Sequence, residues 1–240
     1  MMEKYKILIV EDDVDLREGL SFSFSGDGYD VTETGTKKDG LQEIANGGYD
    51  IVFLDIEMTM PGFNPNPDFV PEIIQAGFFI VDKKGDIVEK YNYHIRPTKI
   101  HRINRRTRDF LHIDGSVVKD AISYYKFYNK LKQTLIKYHP AILTFGKNDR
   151  LFLERSYIVN SLPSLNYISR FINLSQLIKN YYELKVDPGL FSLYEEYTGI
   201  RNLQTHDALE DALVTFDVYN FFVADMKKEM KVIEGALVRK

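Results

Sequence analysis

Apolar positions along the chain recur in two ways, as short β-rich runs and at spacings of three or four residues, and each way predicts an element. Runs over residues 6–10, 29–34, 51–54, 76–81, 87–95 and 141–145 read as strands. Helical spacing marks residues 14–26 through Val14, Leu16, Leu20 and Phe24, then 38–45, 105–113, 149–161 and 191–197. A longer helix is predicted to open at Ser116 and run to Leu135 on Val117, Ala121, Tyr124, Tyr125, Tyr128, Leu131 and Leu135. The last helix is predicted from near Asp207 to about Met226, with Leu209, Ala212, Phe216, Tyr219 and Val223 facing the core. Asp82 to Asp86 with Gly85 is a hairpin turn, and four prolines, Pro61, Pro65, Pro67 and Pro71, make the segment before Glu72 a loop. The opening strand-helix-strand-helix order and its continuation predict an α/β chain whose sheet begins parallel.

The strand at residues 51–54 runs directly into Asp55, with Glu57 two positions on. Side chains alternate along a strand, so Asp55 and Glu57 share one face while Ile56 and Met58 share the other. Two carboxylates side by side repel unless something positive lies between them, and a divalent cation is the usual answer. The alternative is a strand that has reached solvent, where both acids are hydrated.

Composition narrows the classes. At 240 residues with 44% apolar content the chain can bury a real core, and no apolar run approaches the ~20 residues of a membrane span. The N-terminus leads into a strand rather than a signal segment. There is no cysteine, which removes disulfides, thiolate zinc sites and thiol nucleophiles, and fits a cytoplasmic location. The formal net charge of −4 argues against wholesale coating of nucleic acid but permits a local basic groove. Arg96, Lys99, Arg102, Arg105, Arg106 and Arg108 cluster together, and a solvated face accounts for most such runs.

Ile-Leu-Ile-Val-Glu-Asp-Asp from Ile7, Leu-Arg-Glu-Gly-Leu from Leu16, Gly-Tyr-Asp-Val from Gly28 and Tyr-Asp-Ile-Val-Phe-Leu-Asp-Ile from Tyr49 resemble the first half of a response-regulator receiver domain. The resemblance implies that Glu11 and Asp12 occupy its Mg²⁺-holding positions and Asp55 its phosphorylated one. The later receiver strands, one ending in Thr or Ser and one in Lys, are missing at the expected distance. Signalling through a phosphoacceptor Asp55 is the rival function.

Further along, Asp149 follows Thr-Phe-Gly-Lys-Asn where a strand hands over to a helix, and His206 precedes Asp211 at the start of the last helix. Asp207 and Glu210 form a capping-box-like pair there. Asp-x-Glu, the later Asp and His-x-x-x-x-Asp, in that order, resemble the DEDDh 3′-5′ exonucleases, an RNase H-like family. Pro71-Glu-Ile-Ile-Gln-Ala-Gly77, Ile95-Arg-Pro97, Phe171-Ile-Asn-Leu ahead of a helix, and Gly189-Leu support the match, which covers residues 50–226 or so.

The resemblance implies a mixed sheet flanked by helices over 49–228, preceded by the receiver-like half-domain at 1–48 and followed by a tail at 229–240. It also implies that Asp55, Glu57, Asp149 and Asp211 hold two Mg²⁺ or Mn²⁺ for hydrolysis at the 3′ end of single-stranded RNA or DNA, with His206 as general base. Met58, Thr59 and Phe145 would contact the terminal nucleotide. His94, His101, His112 and His139, lacking acids at motif spacing, read as surface or structural histidines. Half a doubly wound sheet cannot bury both its faces, so residues 1–48 need the rest of the chain, a second chain, or partial unfolding.

Overall fold

The computed structural model describes residues 6–26, 30–36, 39–40, 43, 50–63, 67–100, 102–113, 116–117, 120–165, 170–201 and 204–237. The chain divides into two compact units, residues 1–49 with 222–240, and residues 50–221.

In the first unit β1 (Lys6–Val10) pairs in parallel with β2 (Asp30–Thr34), and α1 (Val14–Gly26) makes the crossover. Asp13 caps α1 by accepting from the Leu16 amide at 2.9 Å. The strand, helix and strand match the sequence pattern. The helix expected over 38–45 lies largely outside the described residues.

The second unit is built on a mixed sheet. Its strands are β3 (Ile51–Met58), β4 (Ile73–Val81), β5 (Ile87–Arg96), β6 (Ile122–Ser123), β7 (Ala141–Thr144) and β8 (Phe171–Asn173), in the order β6-β5-β4-β3-β7-β8. The β3, β4 and β5 strands are antiparallel neighbours, while β7 runs parallel to β3, β8 to β7 and β6 to β5. The expected hairpin turn joins β4 to β5, and Gly85 supplies its positive φ of 91°.

Strand alternation sorts the core onto two faces. Val52, Leu54 and Ile56 of β3 with Ala76, Phe78 and Ile80 of β4 lie under α3 (Tyr124–Tyr138) and α4 (Asn148–Val159), which bury Phe127, Tyr128, Leu131 and Leu135, and Leu153 and Tyr157. The opposite face carries Phe53 and Phe79, stacked at 5.3 Å, against Phe216 of α7 (Ala208–Leu237). Asp55 and Glu57 belong to this second face. The remaining helices, α2 (Arg105–Leu111), α5 (Leu174–Tyr181) and α6 (Leu190–Thr198), are shorter.

The strand expected over 76–81 starts at Ile73, the sequence pattern does not mark β8 as a strand, and two helix boundaries depart from the sequence expectation. The helix expected from Ser116 starts at Tyr124, because Ile122 and Ser123 pair with Ile95 and Arg96 and Ser123 then caps the helix by accepting from the Lys126 amide. The helix expected to stop near Met226 continues to Leu237, since Lys-Lys-Glu-Met-Lys after it are strong helix formers.

Gly77 is where α7 meets the sheet. A Cβ built on Gly77 would lie 2.2 Å from the Leu209 nitrogen and 2.4 Å from the Ala208 carbonyl carbon. Both are backbone atoms, so no side-chain motion relieves the overlap. In a strand interior glycine is otherwise unfavourable, and here close approach explains it. We predict that Gly77→Val lowers stability by about 3 kcal/mol, the upper range for overpacking, read as a fall in the urea midpoint; an unchanged midpoint would show that α7 has room to move.

Candidate active site

Acidic side chains from three elements meet where β3 ends. The β7 strand pairs with β3 only through Ile51, Val52 and Phe53. Beyond that point the Ile56 amide donates to Oδ1 of Asp149 at 3.3 Å, so this carboxylate takes over where the ladder stops. Asp149 arrives there because β7 ends at Thr144, whose hydroxyl donates to the Gly146 carbonyl at 2.7 Å and tightens the turn into α4. Its position in the first turn of α4 favours a negative charge.

From the other face α7 delivers Asp211, the residue after Glu210 in its first turns. Asp211 is 4% exposed. Its Oδ2 accepts from Gln204 Nε2 at 3.1 Å, whereas Oδ1 is buried with no hydrogen-bond partner among the described residues. His206 stands just before the helix at a φ of 55°, a left-handed conformation that costs a residue with a Cβ roughly 1–2 kcal/mol. Its ring lies 4.0 Å from that of Phe110, centroid to centroid, and its Nδ1 is 4.0 Å from Oε1 of Glu57. One ligand atom each from Glu57, His206 and Asp211 lies within 4.8 Å of the other two.

These carboxyls are forced towards their protonated forms. Burial, then the charges of Asp149, Glu57 and Asp211, raises Asp55 well above the usual carboxylate range. Burial followed by Asp211 and Asp149 lifts Glu57 to about 8. Burial lifts Asp149 to about 7, against the opposing effect of backbone hydrogen bonds, and Asp211 to about 6, against that of Gln204. His206 moves down, first by burial and then by the nearby His112. The His206 and Glu57 pair is therefore no ion pair at neutral pH in the metal-free chain, despite its distance, because both groups favour their neutral forms.

All five acidic and basic residues singled out in the sequence, Asp55, Glu57, Asp149, His206 and Asp211, are brought together. The three expected nucleotide contacts are placed differently. Met58 packs against the core on the far face of β3, and Thr59 is buried in a closed pair with Glu72, its amide donating to the Glu72 carbonyl and its hydroxyl accepting from the Glu72 amide, both at 2.9 Å. Phe145 is half-buried between β7 and the Asp149 turn. Among the histidines set aside, His112 and His139 close α2 and α3 in left-handed conformations, and His101 lies outside the described residues. Sequence reasoning assigned no role to Phe110, Gln204 and Asn92, while Gln75 and Gly77 fall inside the Pro71–Gly77 segment without being singled out.

Comparison with known proteins matches this architecture. An exonuclease family model matches residues 52–219, and a response-regulator receiver model matches residues 7–64. The probable 3′-5′ exonuclease KapD of Bacillus subtilis (strain 168) is 28% identical over 73% of this chain and 85% of its own length. The uncharacterized transcriptional regulatory protein YkoG of the same organism is 31% identical over 50% of this chain and 56% of its own. Among solved structures, the nuclease domain of 3′hExo, a DEDDh family member bound to rAMP, superposes with a TM-score of 0.65 at 20% identity, covering 74% of this chain and 94% of that one. With its model matched over most of the chain, and its sheet and helices in the same arrangement, this protein belongs to the exonuclease family.

Proposed function

We propose that this chain removes nucleotides from the 3′ end of a single-stranded nucleic acid, and that the work is done by residues 50–221. The observation that carries this reading is the convergence of Asp55, Glu57, Asp149, Asp211 and His206 at the end of β3. The name of KapD and the DEDDh designation of 3′hExo support the 3′-5′ direction. Among the described residues no helix is long and apolar enough to cross a membrane, and a cytoplasmic site of action is part of the proposal.

The residues fit divalent cations. Among the described residues Asp211 leaves one buried oxygen without a donor, the carboxyls of Asp55 and Glu57 hold protons that a cation would displace, and hard oxygen donors suit Mg²⁺ or Mn²⁺. Asp55, Glu57, Asp149 and Asp211 would hold two such ions, which when bound neutralise the phosphate and acidify a coordinated water. His206, kept neutral by burial, accepts the proton of the attacking water at the ring nitrogen facing Glu57. The water oxygen bonds to phosphorus, the bond to the 3′ oxygen of the preceding nucleotide breaks, and a nucleoside 5′-monophosphate leaves. Phe145 is the candidate to pack on the terminal nucleotide, while Met58 and Thr59 serve the wall behind it.

Incubation of a 5′-labelled single strand, RNA and DNA side by side, should give a ladder shortened from the 3′ end in Mg²⁺ or Mn²⁺ and none in EDTA. Asp55→Ala should abolish it, and His206→Ala should slow it by about 10²–10⁴-fold, the usual worth of a general base. Wild-type rates in both variants would refute the assignment.

A second expectation concerns stability without metal. A carboxyl whose pKa is raised on folding binds its proton more tightly in the folded chain, so folding is favoured at low pH and that contribution is lost as pH rises through the folded value. With Asp211 at about 6, Asp149 at about 7 and Glu57 at about 8, the loss falls mainly between pH 5 and 8. In EDTA the melting temperature should therefore drop between pH of about 5.5 and about 8.5, at roughly 2–4 °C per kcal/mol for a chain of this size, and Mg²⁺ should reverse the drop at the higher pH. A flat profile in EDTA would mean that the acids are not crowded as described.

A further inference from the structure

The carboxylate of Asp207 does more than cap a helix. Its Oδ1 accepts from the amides of Leu209 and Glu210 at 3.0 and 3.2 Å, which starts α7. Its Oδ2 accepts from Gln75 Nε2 at 2.7 Å, and Asn92 Nδ2 lies 3.2 Å from both oxygens. Gln75 also donates to Asn92 Oδ1 at 3.0 Å, so the three side chains close on one another. Gln75 is 3% exposed and stands opposite Glu57 in the ladder; Asn92 stands opposite Gly77. One side chain thus ties the helix start to two strands at the positions that neighbour the acids.

His206 is the residue immediately before this tie, held at positive φ. On its other side Gln204 is bound to Asp211. A residue in a left-handed conformation persists only where its surroundings over-determine it, and here both flanks are fixed. We propose that Asp207 is the positioning residue for His206: through Gln75 and Asn92 it pins the chain after His206 to the sheet, which keeps the imidazole turned towards Glu57 and against Phe110. In this role Asp207 acts through Gln75, Asn92 and the helix start rather than on the substrate itself. The activity arm of the test rests on the exonuclease reading; the spectroscopic arm does not.

Asp207→Asn separates the two duties, because asparagine is a good N-cap but its amide group sets a donor against the donors of Gln75 and Asn92. Gln75→Glu sets carboxylate against carboxylate. Combining the two restores a donor facing an acceptor, with the direction reversed. On the single-strand substrate in Mg²⁺, assayed well below the melting temperature of each variant, each single variant should hold KM within about twofold and lose about 30-fold in kcat, the scale expected when a reacting group is displaced by a fraction of an ångström. The pair should return to within about threefold of wild type.

Independently, the His206 ring signal in NMR spectra taken in EDTA, identified by its absence in His206→Gln, should be single in wild type, broadened or doubled in Asp207→Asn, and single again in the pair. An unaltered His206 signal in Asp207→Asn, losses that simply multiply in the pair, or a loss that tracks the unfolded fraction at the assay temperature would each overturn the proposal. Should the wild-type chain digest neither RNA nor DNA, the exonuclease reading falls and the NMR comparison alone decides the role of Asp207.

Discussion

The site exists because a helix backbone touches a strand backbone. At Gly77 the first turn of α7 comes closer to the sheet than any side chain would permit, and Gly77 is the partner of Asp55 in the β3–β4 ladder. That contact sets the depth at which Asp211 and His206 hang over Asp55 and Glu57. The aromatic packing of Phe53, Phe79 and Phe216 further along holds the same helix down, but it fixes the helix as a whole, not the height of its first turn. A glycine in a strand is weak locally; its value here is measured across the layer.

What that contact assembles is unfavourable by itself. Four carboxyls are drawn out of water and into each other's fields, and each gives up its proton at a higher pH than an ordinary carboxyl would. Folding of the large unit supplies the stabilisation that this opposes, through the apolar faces on both sides of the sheet. The acids thus store a preference for positive charge that any small cation of suitable hardness can satisfy.

Much of this was legible in the sequence. Period-two alternation in β3 put Asp55 and Glu57 on one face, and the order of acids and histidine along the chain carried the family likeness. The start of α3 was not legible, because Val117 and Ala121 continue a helical spacing while the pairing of Ile122 with Ile95, a contact between distant residues, decides the boundary. The surroundings of Met58 and Thr59 were not legible for a related reason: Met58 follows its own strand parity onto the core face, and Thr59 is used by Glu72, whose carboxylate in turn gathers the amides of Thr98, Lys99 and Ile100. Asn92 carries no local pattern, and Gln75 only its place in the Pro71–Gly77 segment. Their importance lies wholly in who stands opposite them.

The two family models overlap on β3, and the ladder assigns that strand to the exonuclease sheet, between β4 and β7. A run of apolar residues ending in an aspartate satisfies both patterns, so the same eleven letters from Tyr49 to Thr59 can be the last sentence of one domain and the first of another. A strand with this double reading is a natural place for chains to be joined, since a crossover within it leaves the inward-outward alternation intact on either side. A junction at such a strand needs no new linker and keeps the exonuclease sheet whole, while it leaves β1 and β2 as a two-stranded remnant of the other pattern.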